Sequence, residues 1–290
     1  MTSPPAPIRL FGTSFQNPVL LASGTAGFGH EVSGVIDLEA LGGIVTKAVT
    51  PEPRRGHPAP RVAEFPGGML NAVGLANPGL GAVRERELSW LAARVRRARV
   101  LVNVAGASID DYARVIAGLT DLPVITAFEI NASCPNTSAG GLEFGATPES
   151  LRQLVRRCRA VSTRPMTVKL SPVLPDIAGM AQVAEQEGAD AVTLVNTIPG
   201  TLDGRLGNGT SGGGVSGPAL LAVGVLATRK VRGAVSIPVI GVGGIRTAHD
   251  ARQYLAAGAS LVAIGTAALA DPRVPERVAL ELERAGWGRS

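Results

Sequence analysis

Eight short apolar runs, most of them separated by helical stretches, constrain this chain more than any other feature. In order they are Val19 to Ala22, Ile44 to Thr46, Val100 to Val104, Val124 to Phe128, Pro165 to Leu170, Ala191 to Val195, Pro238 to Gly241 and Leu261 to Ile264. Such runs, bounded by turn residues, read as buried parallel strands. Eight of them in 290 residues predict an α/β fold, a TIM barrel (β/α)8, with a small N-terminal strand extension at Ile8 to Phe11 and long β–α loop insertions. Residues 1–290 read as one barrel domain. A doubly wound sheet is disfavoured because no Gly-x-Gly-x-x-Gly fingerprint follows the first strand.

Helical stretches are expected at Val32 to Leu41, Leu80 to Ala98, Asp110 to Leu119, Thr147-Pro148 to about Val161, Ile177 to Glu187, Pro218 to Val231, from Thr247 onward and at Pro275 to Ala285. Thr147-Pro148 supplies a cap followed by proline in the first turn. Thr247 with Asp250 three residues on resembles a capping box. Pro51 to Gly68 is too irregular for a helix and reads as an insertion with a small hairpin near Arg61 to Phe65. Pro199 to Gly217 is glycine-rich and without periodicity, and reads as a lid over a site.

Composition narrows the partners. The net charge of +5 would allow nucleic acid, but the arginines are scattered along helical stretches and the cluster Arg94, Arg96, Arg97, Arg99 is short. Nucleic acid is therefore not expected. No apolar run approaches transmembrane length, and Met1 to Pro7 has no apolar signal core, so a cytoplasmic location without membrane attachment is expected. Cys134 and Cys158 form no metal-ligand pattern, and no metal is expected. Cys158 falls on the apolar side of its helix, with Leu151, Leu154 and Val155, and reads as packing.

In a barrel of this kind the chemistry sits at the carboxyl ends of the strands. Here those ends carry Ser23-Gly24, Lys47, Asn103, Asn131 with Ser133 and Cys134, Lys169, Asn196-Thr197, Gly243-Gly244 and Gly265-Thr266. The glycine turns after the last two strands suit a phosphate group. Only three of the 28 basic residues are lysines, Lys47, Lys169 and Lys230, and two of these fall at strand ends. A compact ammonium there can stabilise negative charge on a reduced ring. His30, His57 and His249 lie in loop or helix-start positions and are not expected to act as bases. Cys134 stands in a turn between amides, where a thiol of lowered pKa can accept a proton; read alone, it could equally be inert packing.

The run Asn131-Ala132-Ser133-Cys134-Pro135-Asn136 resembles the signature loop of the dihydroorotate dehydrogenases. Phe65 to Gly79, Thr167-Val168-Lys169-Leu170-Ser171-Pro172 and Gly241-Val242-Gly243-Gly244-Ile245 resemble the same family, in order, and the likeness covers about residues 8 to 285. The resemblance implies an FMN enzyme that oxidises (S)-dihydroorotate to orotate in pyrimidine biosynthesis. It places Ser23, Gly24, Lys47, Asn103, Asn131, Lys169, Gly217, Gly243, Gly244, Gly265 and Thr266 around FMN. It places Lys47, Met69, Asn71, Gly74, Leu75, Asn136, Asn196 and Thr197 at the substrate, with Cys134 as the catalytic base.

Cysteine at 134 resembles the soluble class 1 enzymes, and the continuation Gly140-Gly141 to Phe144-Gly145 resembles the class 1B catalytic subunit. That resemblance implies a homodimer core in a heterotetramer, with a partner that carries FAD and a [2Fe–2S] cluster and passes electrons to NAD. The fumarate-using class 1A, a dihydropyrimidine dehydrogenase and a non-catalytic flavin-binding barrel are the alternatives. Two positions depart from the family pattern: Leu221, where a lysine is frequent, and Ala76, where glutamine is usual.

Overall fold

The computed structural model describes residues 8–133, 135–136, 142–202, 204–207 and 212–287. Eight parallel strands close into a barrel: Val19–Leu21, Gly43–Val45, Arg99–Val104, Ile125–Asn131, Met166–Leu170, Ala191–Leu194, Val239–Val242 and Leu261–Ile264. Each pairs with its neighbours in chain order, and the eighth pairs with the first. The expected TIM barrel is the observed fold.

Alternation along the strands builds two cores. Outward residues such as Phe128, Ile130, Val168 and Leu170 pack against the helices. Inward residues Leu20, Val45, Leu101, Ala127, Ile240 and Leu261 fill the barrel. The N-terminal segment is a hairpin, Ile8–Leu10 against Thr13–Phe15, and its Leu10 and Phe15 join that inner cluster. The end opposite the rim is thereby closed with apolar side chains.

The helices are Ile109–Leu119, Pro148–Arg159, Ile177–Gln186, Leu220–Arg232, Ala248–Ala256 and Val274–Ala285, plus a short one, Thr266–Ala270, that sequence reading missed. Thr147 caps its helix through Ser150 N–H, and Thr247 with Asp250 forms a true capping box. Two expected helices are corrected. Val32 to Leu41 holds only a 3-10 turn, Leu38–Ala40, because Val32, Gly34, Val35 and Ile36 are poor helix formers. Leu80 to Ala98 is α-helical over Gly79–Ala82, widens to a π turn at Val83–Glu87, resumes at Leu88–Arg94 and ends there, with Val95 extended.

Two further corrections bear on the rim. The fourth strand does not stop at Phe128 but carries Glu129, Ile130 and Asn131 as well. The segment read as a lid supplies two strands, Ile198–Gly200 and Gly213–Ser216. They join the expected hairpin Val62–Phe65/Gly68–Asn71 in one four-stranded antiparallel sheet. Glycine-rich strands have little propensity of their own, and pairing with Met69 to Asn71 sets this one.

Among the described residues no helix is long and apolar enough to cross a membrane.

Candidate active site

A cavity of about 970 Å³ opens at the carboxyl ends of the barrel strands, beneath the rim sheet. Its wall contains Ser23, Gly24, Lys47, Asn103, Asn131, Lys169, Gly217, Gly243, Gly244, Gly265 and Thr266, together with Met69, Asn71, Gly74, Leu75, Asn196 and Thr197. The structure thus brings together in one place residues spread over the whole chain. Cys134 lies outside the described residues. Asn136 lies in a two-residue strand, Pro135–Asn136, paired with Leu142–Glu143 at the edge of the same loop.

One end of the cavity is built from backbone. Gly243 and Gly244 have φ of 127° and 74°, the left-handed region that side chains disfavour. The buried Tyr254 donates its hydroxyl to Gly243 O at 2.8 Å and pins this turn. Tyr254 packs so close to the seventh strand that a Cβ on Gly241 would lie 2.3 Å from its ring. Thr266 Oγ1 donates to Ser216 Oγ at 2.8 Å, which ties the eighth strand end to the rim sheet. The Gly243-Gly244 turn, with no side chain to block approach, suits a phosphate, while the N–H groups of Arg246 and Thr247 that follow are taken by Asp250.

The middle of the cavity is floored by charged and amide side chains from adjacent strands. Register sets Asn103 opposite Glu129, and Asn131 opposite Lys169. Asn103 Nδ2 donates to Glu129 Oε1 at 2.7 Å. Lys169 Nζ lies 3.8 Å from the same oxygen and donates to Ser23 Oγ at 3.0 Å. Asn196 Nδ2 donates to Asn131 Oδ1 at 3.2 Å, so an amide expected at the cofactor and one expected at the substrate share a bond. Tyr112 holds the backbone of Asn131 through a 2.8 Å hydrogen bond to its carbonyl.

Lys47 reaches the cavity from the second strand end, its backbone N–H held by Gly27 O at 2.7 Å. Its side chain has no hydrogen bond or ion pair among the described residues. Burial holds its ammonium below the ordinary lysine range, Glu31 opposing and Arg61 adding to the effect. Asn71 Nδ2 donates to Gly214 O at 2.9 Å, joining hairpin and rim strand. Asn77 is not a cavity residue. It clamps the loop that presents Gly74 and Leu75, bonding Thr50, Gly79 N–H and Leu75 O.

Sequence reasoning missed two acidic side chains here, Glu129, bonded to Asn103, and Glu143, in the wall itself. Glu129 is 2% exposed, a buried carboxylate with no signal in the hydrophobic pattern. Ser133, expected at this strand end, borders the cavity with its hydroxyl unpartnered among the described residues. Glu143 reaches it from across the signature loop, its carboxyl pushed up by burial. Cys158 is fully buried in its helix, as expected, and burial pushes its thiol up to about 12.

Fold and cavity together define a (β/α)8 barrel with a large rim cavity lined by lysines, amides and glycine turns. A family model described as Dihydroorotate dehydrogenase matches residues 6–285. The chain belongs to the dihydroorotate dehydrogenase family. It is 46% identical over 281 residues to a relative from Geobacillus kaustophilus (strain HTA426), covering 95% of this chain and 88% of the relative. It is 44% identical over 283 residues to one from Listeria monocytogenes serotype 4a (strain HCC23), covering 96% and 92%. A relative from Bacillus cereus (strain G9842) is 45% identical over 281 residues, covering 95% and 90%. All three are named "Dihydroorotate dehydrogenase B (NAD(+)), catalytic subunit".

FMN fits this cavity. The glycine turn and Thr266 suit its phosphate, Lys169 and Lys47 suit a ring that becomes negative, and the buried Oδ1 of the lining residue Asn103 has no partner among the described residues.

Proposed function

We propose that this chain oxidises (S)-dihydroorotate to orotate as the FMN-dependent catalytic subunit of an NAD-linked dihydroorotate dehydrogenase, in de novo pyrimidine biosynthesis. The observation that carries this reading is the lining of one cavity. The Gly243-Gly244 turn suits phosphate, and Lys47, Asn71, Asn131 and Asn196 on the wall of the same cavity suit an anionic ring rich in amides.

Bound FMN supplies the acceptor for the hydride that leaves C6 of the substrate. Around it, Ser23, Gly24, Lys47, Asn103, Asn131, Lys169, Gly217, Gly243, Gly244, Gly265 and Thr266 hold the cofactor. Asn71, Asn131, Asn136 and Asn196 bind and orient the pyrimidine amides, with Met69, Gly74, Leu75 and Thr197 shaping the wall. Lys47 places positive charge beside the anionic substrate. Cys134 takes the C5 proton as the C6 hydride departs, which leaves the C5–C6 double bond of orotate. Lys169 offsets the negative charge that reduction adds nearby.

Electrons then leave through a partner subunit that carries FAD and a [2Fe–2S] cluster and reduces NAD. The catalytic chain forms a homodimer at the centre of a heterotetramer. The support for this assembly is the phrase "catalytic subunit" in the relatives' names.

Anaerobic addition of dihydroorotate to the purified protein tests the substrate. The FMN absorbance bleaches in the wild type and bleaches about 10²- to 10⁴-fold more slowly in Cys134→Ser. An FMN-loaded wild type that stays yellow rejects the substrate, and an unimpaired Cys134→Ser rejects the base. Rapid turnover with fumarate in the absence of any partner would reject the NAD-linked assembly.

A further inference from the structure

Behind the cavity's lining residues Asn103 and Lys169 stands a buried carboxylate that the reaction does not use. Glu129 lies on the fourth strand at an inward position, two residues beyond Ala127 and two before Asn131. It is 2% exposed, and burying a carboxylate at this depth is costly unless it is paired. Its partners come from the flanking strands. Asn103, directly opposite in the register, donates Nδ2 to Glu129 Oε1 at 2.7 Å, and Lys169 Nζ stands 3.8 Å from that oxygen.

A carboxylate that accepts from Asn103 decides which way that amide points. With Nδ2 engaged by Glu129, Oδ1 is left at the cavity wall, buried and without a partner among the described residues. A buried amide oxygen in that state needs a donor from a ligand. Ribityl hydroxyls aside, oxidised flavin has a single N–H, on its ring, to offer such an acceptor. We propose that Glu129 is a positioning residue for the cofactor: it orients Asn103 to accept from the flavin N–H and supplies the counter-charge beneath Lys169. This inference rests on the FMN reading above.

Two measurements on the full-length protein test it: the dissociation constants of FMN and of FMN methylated at the ring N–H, and the FMN reduction potential. The wild type prefers FMN to the methylated form by about tenfold or more. Glu129→Leu, which removes the acceptor as well as the charge, loses most of that preference, whereas Glu129→Gln keeps an acceptor oxygen and tests the charge alone. Its potential becomes more positive, because a negative charge near the reduced ring is gone. Asn103→Ala loses the preference to a similar extent, and the double variant loses no more, since both substitutions break one interaction. If either Glu129 variant does not fold, Asn103→Ala still decides through the preference. A preference intact in Glu129→Leu or in Asn103→Ala, or an unmoved potential in Glu129→Gln, overturns the proposal. Wild-type protein that binds no FMN overturns it together with the FMN reading, whereas FMN-loaded protein that bleaches with substrate but fails these tests overturns this inference alone.

Discussion

Lys47 and Lys169 occupy the same rim and differ in nearly everything else. Lys169 is 7% exposed and already has company, a hydroxyl from Ser23 and the carboxylate of Glu129. Lys47 is only half-buried and makes no side-chain hydrogen bond or ion pair among the described residues, while burial depresses its pKa. One ammonium is built into the floor with its counter-charge supplied. The other meets the cavity with its charge uncompensated at contact distance. The difference teaches that position at a strand end does not fix a lysine's role; the partner supplied by the neighbouring strand does. Lys169 belongs to the standing structure of the site, and Lys47 awaits an anion.

The largest effect that could break this comparison is on stability. Lys169→Ala strands the Glu129 carboxylate in the barrel and is expected to cost about 3 kcal/mol of unfolding free energy in a denaturant titration. Lys47→Ala is expected to leave stability unchanged or slightly raised, because it removes a charge that burial disfavours. Equal losses in the two variants would erase the distinction.

Next in size is ligand affinity. Lys47→Ala is expected to weaken orotate binding about 10- to 100-fold, the value of a hydrogen bond to a charged group, measured by titration of the flavin spectrum. Lys47→Met should behave alike, which separates charge from volume.

A smaller effect is its pH dependence, and its sign follows from the lowered pKa of Lys47. In the folded free protein Lys47 loses its proton at lower pH than it does in an unfolded chain. Between those two pKa values the unfolded chain holds more protons, so this residue's contribution to stability rises with pH across that window. Orotate affinity runs the other way. It is full below the folded pKa and falls as pH rises through it, with proton uptake on binding in that range. Lys47→Arg is expected to flatten the alkaline fall in affinity, and a fall that persists unchanged assigns it elsewhere.

The smallest effect is a count of thiols. Burial raises the Cys158 thiol to about 12, so the native protein should react with one equivalent of a thiol reagent, at Cys134, and with two after denaturation. Protection by orotate would place Cys134 at the ligand.

Much of the fold was legible because strand and helix periodicities are local. The eight barrel strands, the capped helix starts at Thr147 and Thr247 and the packing role of Cys158 follow from residues a few positions apart. The helix expected at Val32 to Leu41 failed for a local reason as well, its β-branched residues and Gly34 outweighing the apolar spacing. The strands Ile198–Gly200 and Gly213–Ser216 were hidden because their glycines carry no pattern; the partner at Met69 to Asn71 makes them strands. Glu129 was hidden because a carboxylate after an apolar run looks like the end of a strand.

The sequence by itself determined the barrel and the kind of groups at its rim, since a period of two fixes which residues face inward and glycine or lysine identity fixes what each outlet can offer. Only the tertiary structure decided who meets whom. Barrel closure sets the register, and register brings Asn103 opposite Glu129 and Asn131 opposite Lys169. Those pairings join residues 26 to 38 positions apart in the sequence, by subtraction of their residue numbers. No local pattern spans that distance, because contact across neighbouring strands depends on how the whole sheet closes.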